Sequence, residues 1–180
     1  MSFFNSNQLH PMREQIFNER TLISDVCESF ISPIVEKIDQ PNDLKQKKYF
    51  SLDFVELYNN YQFFIVPEEV SGLPGIGFVE GMACGSVFIG LKSPIYSDIG
   101  MVEGVHYIGY DGTLSDLISK IKYYQKNTDL LNQISQNSYL FVKSNLNIDL
   151  IVNNFFAEIT FLLNKKNESI FNQANSNYKL

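Results

Sequence analysis

Residues 72–91, GLPGIGFVEGMACGSVFIGL, carry one charged side chain, Glu80, near the middle of an apolar, glycine-rich run. Burying a lone carboxylate in apolar surroundings costs several kcal/mol unless a partner offsets it. The glycines ahead of Glu80 suggest what it could serve. Gly72, Gly75 and Gly77 permit positive φ and let a ligand approach the backbone closely. If a helix starts near Ile76, the amides of Gly75, Ile76 and Gly77 point out of its N-terminus, an arrangement that suits a phosphate. Glu80 then lies one turn in, on the face of Ile76, where a carboxylate can accept two hydrogen bonds from a ribose diol. A plainer reading stands beside this one: Glu80 caps local backbone amides, and the glycines only let a helix pack closely on a sheet. Glycine-rich strand-to-helix turns recur across α/β folds, so the residues by themselves leave both readings open.

Other candidate chemistry is sparse. His10 and His106 are too few and too far apart to predict a metal site, and His106, alternating within GVHYIGY, reads as a structural strand residue. Cys27 and Cys84 have neither metal-ligand nor disulfide-framework spacing. Cys84, inside an apolar helical run, reads as a buried, inert thiol. No GxSxG elbow surrounds Ser71 or Ser86, which argues against a hydrolase. The aspartates of YSDIG and YDGT read as turn and cap residues.

These residues need elements to hold them. The 180 residues, 44% of them apolar, are enough for one ordinary domain, expected over residues 1–165 with a frayed Asn-, Ser- and Lys-rich tail at 166–180. With 14 basic against 20 acidic residues and no basic run longer than KQKK, nucleic acid is not an expected partner. The N-terminus lacks the pattern of a signal peptide, and no apolar run approaches the roughly 20 residues of a spanning helix. A soluble, cytoplasmic protein with reduced thiols is the expectation.

All ten glycines fall between Gly72 and Gly112, which places any ligand chemistry in that window. Before it, SLDFVELYNNY reads as a short helix capped by Ser51, with Leu52 on its apolar side, and QFFIVP as a buried strand over 62–66. Within it the order is glycine loop (71–75), helix (about 76–84, with Gly85 at its C-cap), strand (86–90) and strand (105–110). After it come three helical patterns: one capped by Thr113 with Asp116 at N3, one over about 130–142, and one striped by Ile148, Ile151, Val152, Phe155, Phe156, Ile159 and Leu163. All three stripes read as core-facing. This alternation predicts an α/β fold with a parallel sheet flanked by helices, and ligands in such sheets bind beyond the carboxyl ends of the strands.

The stretch PEEVSGLPGIGFVEGMACGSVFIG resembles the donor-binding segment of GT-B glycosyltransferases, in which a glycine-rich loop, a glutamate within an apolar helix, an AMACG-like turn and a PVI-like strand follow one another. The likeness continues through DIGMVEGVHYIGYDGTLSDLISKIKYY and covers roughly residues 60–163. HPMREQI bears a weaker similarity to a YPLR stretch of some of these enzymes. The resemblance implies a Rossmann-like, nucleotide-sugar-binding half of a GT-B architecture with C-terminal helices. The chain has room for that half alone, so a separate acceptor-binding domain or subunit is implied. No cofactor or metal is implied beyond the nucleotide-diphosphate sugar itself.

In that family the glutamate matching Glu80 binds the ribose hydroxyls. The loop matching Gly72, Pro74, Gly75, Ile76 and Gly77 contacts diphosphate and sugar. Arg13 and Lys92 are the candidate cations for the diphosphate. Many retaining members carry a second glutamate eight positions earlier, where this chain has Gly72; Glu68 and Glu69 are out of register. The resemblance assigns no catalytic residue. It implies either a glycosyltransferase domain that passes the sugar to a glycan, lipid or protein acceptor, or a non-catalytic nucleotide-sugar-binding or assembly module that has lost turnover.

Overall fold

A computed structural model describes residues 11–28, 53–68 and 72–177; His10, Ser51, Leu52, Glu69 and Ser71 lie outside them. The described chain is α/β, with a small open sheet of three parallel strands in the order β1-β2-β3 and helices on both faces. It divides into two compact units, Met1–Val142 and Lys143–Leu180. The first holds the sheet.

In chain order the elements of the first unit begin with α1 (Pro11–Asn18), α2 (Arg20–Ile23), α3 (Phe54–Asn59) and β1 (Phe63–Ile65). There follow α4 (Gly77–Ala83), β2 (Val87–Leu91), α5 (Pro94–Asp98), β3 (Ile108–Tyr110), α6 (Leu114–Lys126) and α7 (Thr128–Asn145). Helix α3 starts later than its sequence suggests. Its N-cap is Asp53, whose carboxylate accepts from the Glu56 amide, because a carboxylate three residues ahead of a free amide is a strong cap. Helix α4 ends in a Schellman motif. Gly85, at φ +83°, lets its own amide reach the Met82 carbonyl and the Ser86 amide reach that of Gly81.

Strand pairing sets Phe64 opposite Phe88 and Ile89 opposite both Ile65 and Ile108. Since alternate side chains leave opposite faces, the two faces are built from different residues. On one, Val87, Ile89, Ile108 and Tyr110 pack with Met12 and Ile16 of α1, Leu117 and Ile121 of α6, and Leu131 and Ile134 of α7. The other is aromatic. Phe88 lies 5.4 Å from Phe64, 5.6 Å from Phe78 and 5.6 Å from Tyr96, ring centre to ring centre, and Tyr96 lies 5.0 Å from Tyr107. Buried on both sides, β2 reads as a continuous apolar run, as the middle strand of a parallel sheet should.

Two expectations about the sheet region are corrected. His106 is in a turn ahead of β3, not in a strand; its Nδ1 accepts from the Val102 amide at 3.0 Å, a local bond that closes the turn. Cys84 caps the end of α4 and is only half-buried.

The second unit consists of the end of α7 and a long helix, α8 (Ile148–Asn177). Its stripe is not core-facing. Ile148 is 74% exposed and Phe155 and Phe156 each 61%, and every described side chain from Ile148 to Lys166 is exposed. The helix continues through the expected tail to Asn177, and the boundary between units falls after Val142. No single helix among the described residues is long and apolar enough to cross a membrane.

Candidate site at the carboxyl ends of the strands

The three parallel strands end side by side, and the segments leaving them carry polar groups. Val66, Pro67 and Glu68 follow β1, Lys92 follows β2, and Asp111 follows β3. The Lys92 amide donates to the Tyr110 carbonyl at 2.8 Å, which keeps the last two ends in register.

The glycine segment joins this edge from the β1 side. Of its three glycines only Gly72 takes up positive φ, +72°, with open space where a Cβ would point. Gly77 serves a close approach instead: a Cβ there would sit 3.1 Å from the Tyr58 hydroxyl and 3.2 Å from Val66. Gly81, one turn on, is tighter still, with a Cβ meeting Cζ of Phe64 at 2.4 Å. Close helix-to-sheet packing is therefore real at Gly77 and Gly81, while Gly72 shapes the loop.

Both readings of the segment find something here. Helix α4 begins at Gly77, with Ile76 as an exposed N-cap residue that supplies no side-chain cap. The Phe78 and Val79 amides turn back to the Gly75 and Ile76 carbonyls, but among the described residues those of Ile76 and Gly77 have no acceptor. Glu80 lies in the first turn of α4 and is exposed. The expectation of a carboxylate held in apolar surroundings is thereby corrected. The apolar neighbours Phe78, Gly81 and Met82 face the sheet, whereas Glu80 is on the outer side of the same helix, as a 3.6-residue period requires. Among the described residues no backbone amide donates to the Glu80 carboxylate, so a local capping role has no counterpart there.

The buried carboxylate at this edge is Glu68, 9% exposed. Its Oε1 accepts from the Leu91 amide at 2.8 Å and from the Tyr96 hydroxyl at 2.8 Å. One oxygen thus ties the end of β1 to the end of β2 and to α5. Burial, then the neighbouring Glu68 carboxylate, raises the Tyr96 phenol far above its ordinary pKa, so the hydroxyl stays a donor. Sequence reasoning named Glu68 only as a neighbour of the loop. The signal available was its place: directly past an apolar strand and a proline, at the carboxyl end of a parallel sheet.

Lys92 is an ion pair. Its Nζ lies 2.9 Å from Oε1 of Glu103, and hydrogen bonding to Glu103, followed by the same charge, raises its pKa. The pair lies across Gly109, where a Cβ would come within 2.8 Å of Glu103 and 2.9 Å of Lys92. Arg13 belongs to α1, whose Met12 and Ile16 pack on the face away from α4. The structure thus gathers Gly72, Pro74, Gly75, Ile76, Gly77 and Glu80 in one continuous segment and sets Lys92, charge-paired, on the same edge; Arg13 is placed by a helix of the other face.

Beyond β3, Asp111 and Asp116 organise the start of α6, as expected of turn and cap residues. Asp111 accepts from the Thr113 amide at 2.9 Å and hydroxyl at 2.7 Å, which holds its carboxyl below the usual range. Thr113 accepts from the Asp116 amide, and Asp116 accepts from the Asp111 amide. Among the described residues no cluster of His, Cys, Asp and Glu could hold a metal.

Compared with family models, curated proteins and solved structures, the chain matches none.

Proposed function

We propose that this chain is the nucleotide-sugar-binding half of a GT-B glycosyltransferase, acting in the cytoplasm with an acceptor-binding domain or subunit. The observation that carries the reading is the segment Gly72–Glu80. It follows β1 in the chain, presents the Ile76 and Gly77 amides with no acceptor among the described residues, and ends in an exposed carboxylate one helical turn on. Amides in this setting suit a diphosphate, and the carboxylate suits the paired hydroxyls of a ribose. The sugar-transfer chemistry then needs an acceptor brought beside the donor, since positioning of two reactants supplies much of such a rate enhancement.

A second reading keeps donor binding and drops turnover. It is favoured by the Lys92–Glu103 pair, which offsets the charge of a cation on this edge, and by Gly72 at the position where many retaining members have a glutamate. Both readings require nucleoside diphosphate binding. Calorimetry against uridine, guanosine, adenosine and thymidine diphosphates tests them together, and a sugar-transfer assay with a supplied acceptor domain separates them.

A further inference from the structure

Helix α8 has a wide apolar stripe and no element of its own unit to cover it. From Ile148 to Lys166 the residues Ile148, Val152, Phe155, Ile159, Leu162 and Lys166 recur at alternating spacings of four and three, the seam of a coiled coil. Phe155 is 61% and Leu162 53% exposed. A helix draws most of its stability in water from packing such a face, so the stripe needs an occupant.

We propose that the occupant is the same stripe of a second copy of this chain, running antiparallel. The charges beside the seam decide both partner and direction. In an antiparallel pair each residue that precedes a first seam position faces its like on the other helix, and Glu158 and Lys165 are two such residues, one heptad apart. Setting Ile159 against the partner's Leu162 brings Glu158 opposite the partner's Lys165 twice, once on each side of the two-fold axis. The same register places Phe156 opposite the partner's Leu163 on the other flank, and Phe155 beneath the partner's Lys166, whose stem and charge suit an aromatic ring. A parallel, in-register pair would stack Lys166 on Lys166 within the seam, which like charge opposes. The two-fold falls between Thr160 and Phe161, near the middle of α8, and the apolar contact runs from Phe155 to Lys166 of each copy.

The test is sedimentation equilibrium on the full chain with three variants. The wild type is expected at about 41 kDa, twice the 20.7 kDa of one chain. Glu158→Lys and Lys165→Glu each place like charges together at both ends of the contact, and each should weaken the dimer by about tenfold. The double swap restores opposite charges and should recover the wild-type constant. A wild type that is monomeric at about 100 μM, a concentration that would leave only very weak pairing undetected, overturns the proposal. So does a dimer that neither single swap weakens, or one that the double swap fails to restore.

Discussion

The Tyr96 hydroxyl donates to Oε1 of Glu68 at 2.8 Å, joining the segment that follows β1 to the helix that follows β2. The same oxygen takes the Leu91 amide, so one buried carboxylate atom fixes three chain segments beneath the candidate site. A buried carboxylate with charge-assisted bonds is costly to disrupt from one side only, because the donors it leaves behind stay unpaired.

Glu68→Ala should therefore lower folding stability by about 3 kcal/mol, and Tyr96→Phe by about 1.5 kcal/mol, in urea unfolding. In the double variant the losses should fall short of additive by about 1 kcal/mol or more, since the two side chains share one bond. Strict additivity would mean that the bond contributes nothing.

Gly81 gives a steric prediction. A methyl group on its Cα would meet the Phe64 ring at 2.4 Å, so Gly81→Ala should cost about 2 kcal/mol, typical of overpacking. Adding Phe64→Leu, which withdraws the ring, should recover part of that loss. Gly72→Ala meets open space but positive φ, so it should cost about 1 kcal/mol and should not respond to Phe64→Leu.

His106 gives a pH dependence. Burial lowers its pKa below 6.5, so the unfolded chain binds the proton more readily than the folded one. The contribution is fully present above about pH 6.5 and is lost as pH falls through 6.5 toward the lower folded value. Protonation of Nδ1 also removes the acceptor of the Val102 amide. The urea midpoint of the wild type should fall between pH 7.5 and 5 more than that of His106→Asn, whose side-chain oxygen accepts without titrating. Equal slopes would remove His106 from the account.

Much of the sheet was legible because its signals are local. QFFIVP and SVFIG contain their strands to within a residue, Gly85 marks the helix end, and Thr113 with Asp116 marks the start of α6. What escaped depends on contacts distant in sequence. That Glu80 points outward follows from which helix face meets Phe88, and that Glu68 is buried follows from its bonds to Leu91 and Tyr96; an apolar neighbourhood in sequence reveals neither. The stripe of α8 has the same periodicity as those of α6 and α7, yet periodicity tells only that a helix has an apolar side, not what covers it. Lys92 could not be read as paired, because Glu103 reaches it across β3, over a glycine whose missing side chain leaves the room.

The most direct test of donor binding by the Gly72–Glu80 segment is nucleoside diphosphate affinity measured on wild type and Glu80→Gln, with urea midpoints on the same two proteins. One of the four diphosphates should bind, and at about 100 times its dissociation constant it should stabilise the fold by roughly 2.7 kcal/mol. Glu80→Gln should weaken that binding by about tenfold or more, the loss expected for a charge-assisted hydrogen bond. Because Glu80 is exposed and unbonded among the described residues, the unliganded midpoint should stay within about 0.5 kcal/mol of wild type. Absence of a thermal shift with any of the four at millimolar concentration, or an affinity that Glu80→Gln leaves unchanged, would contradict the assignment.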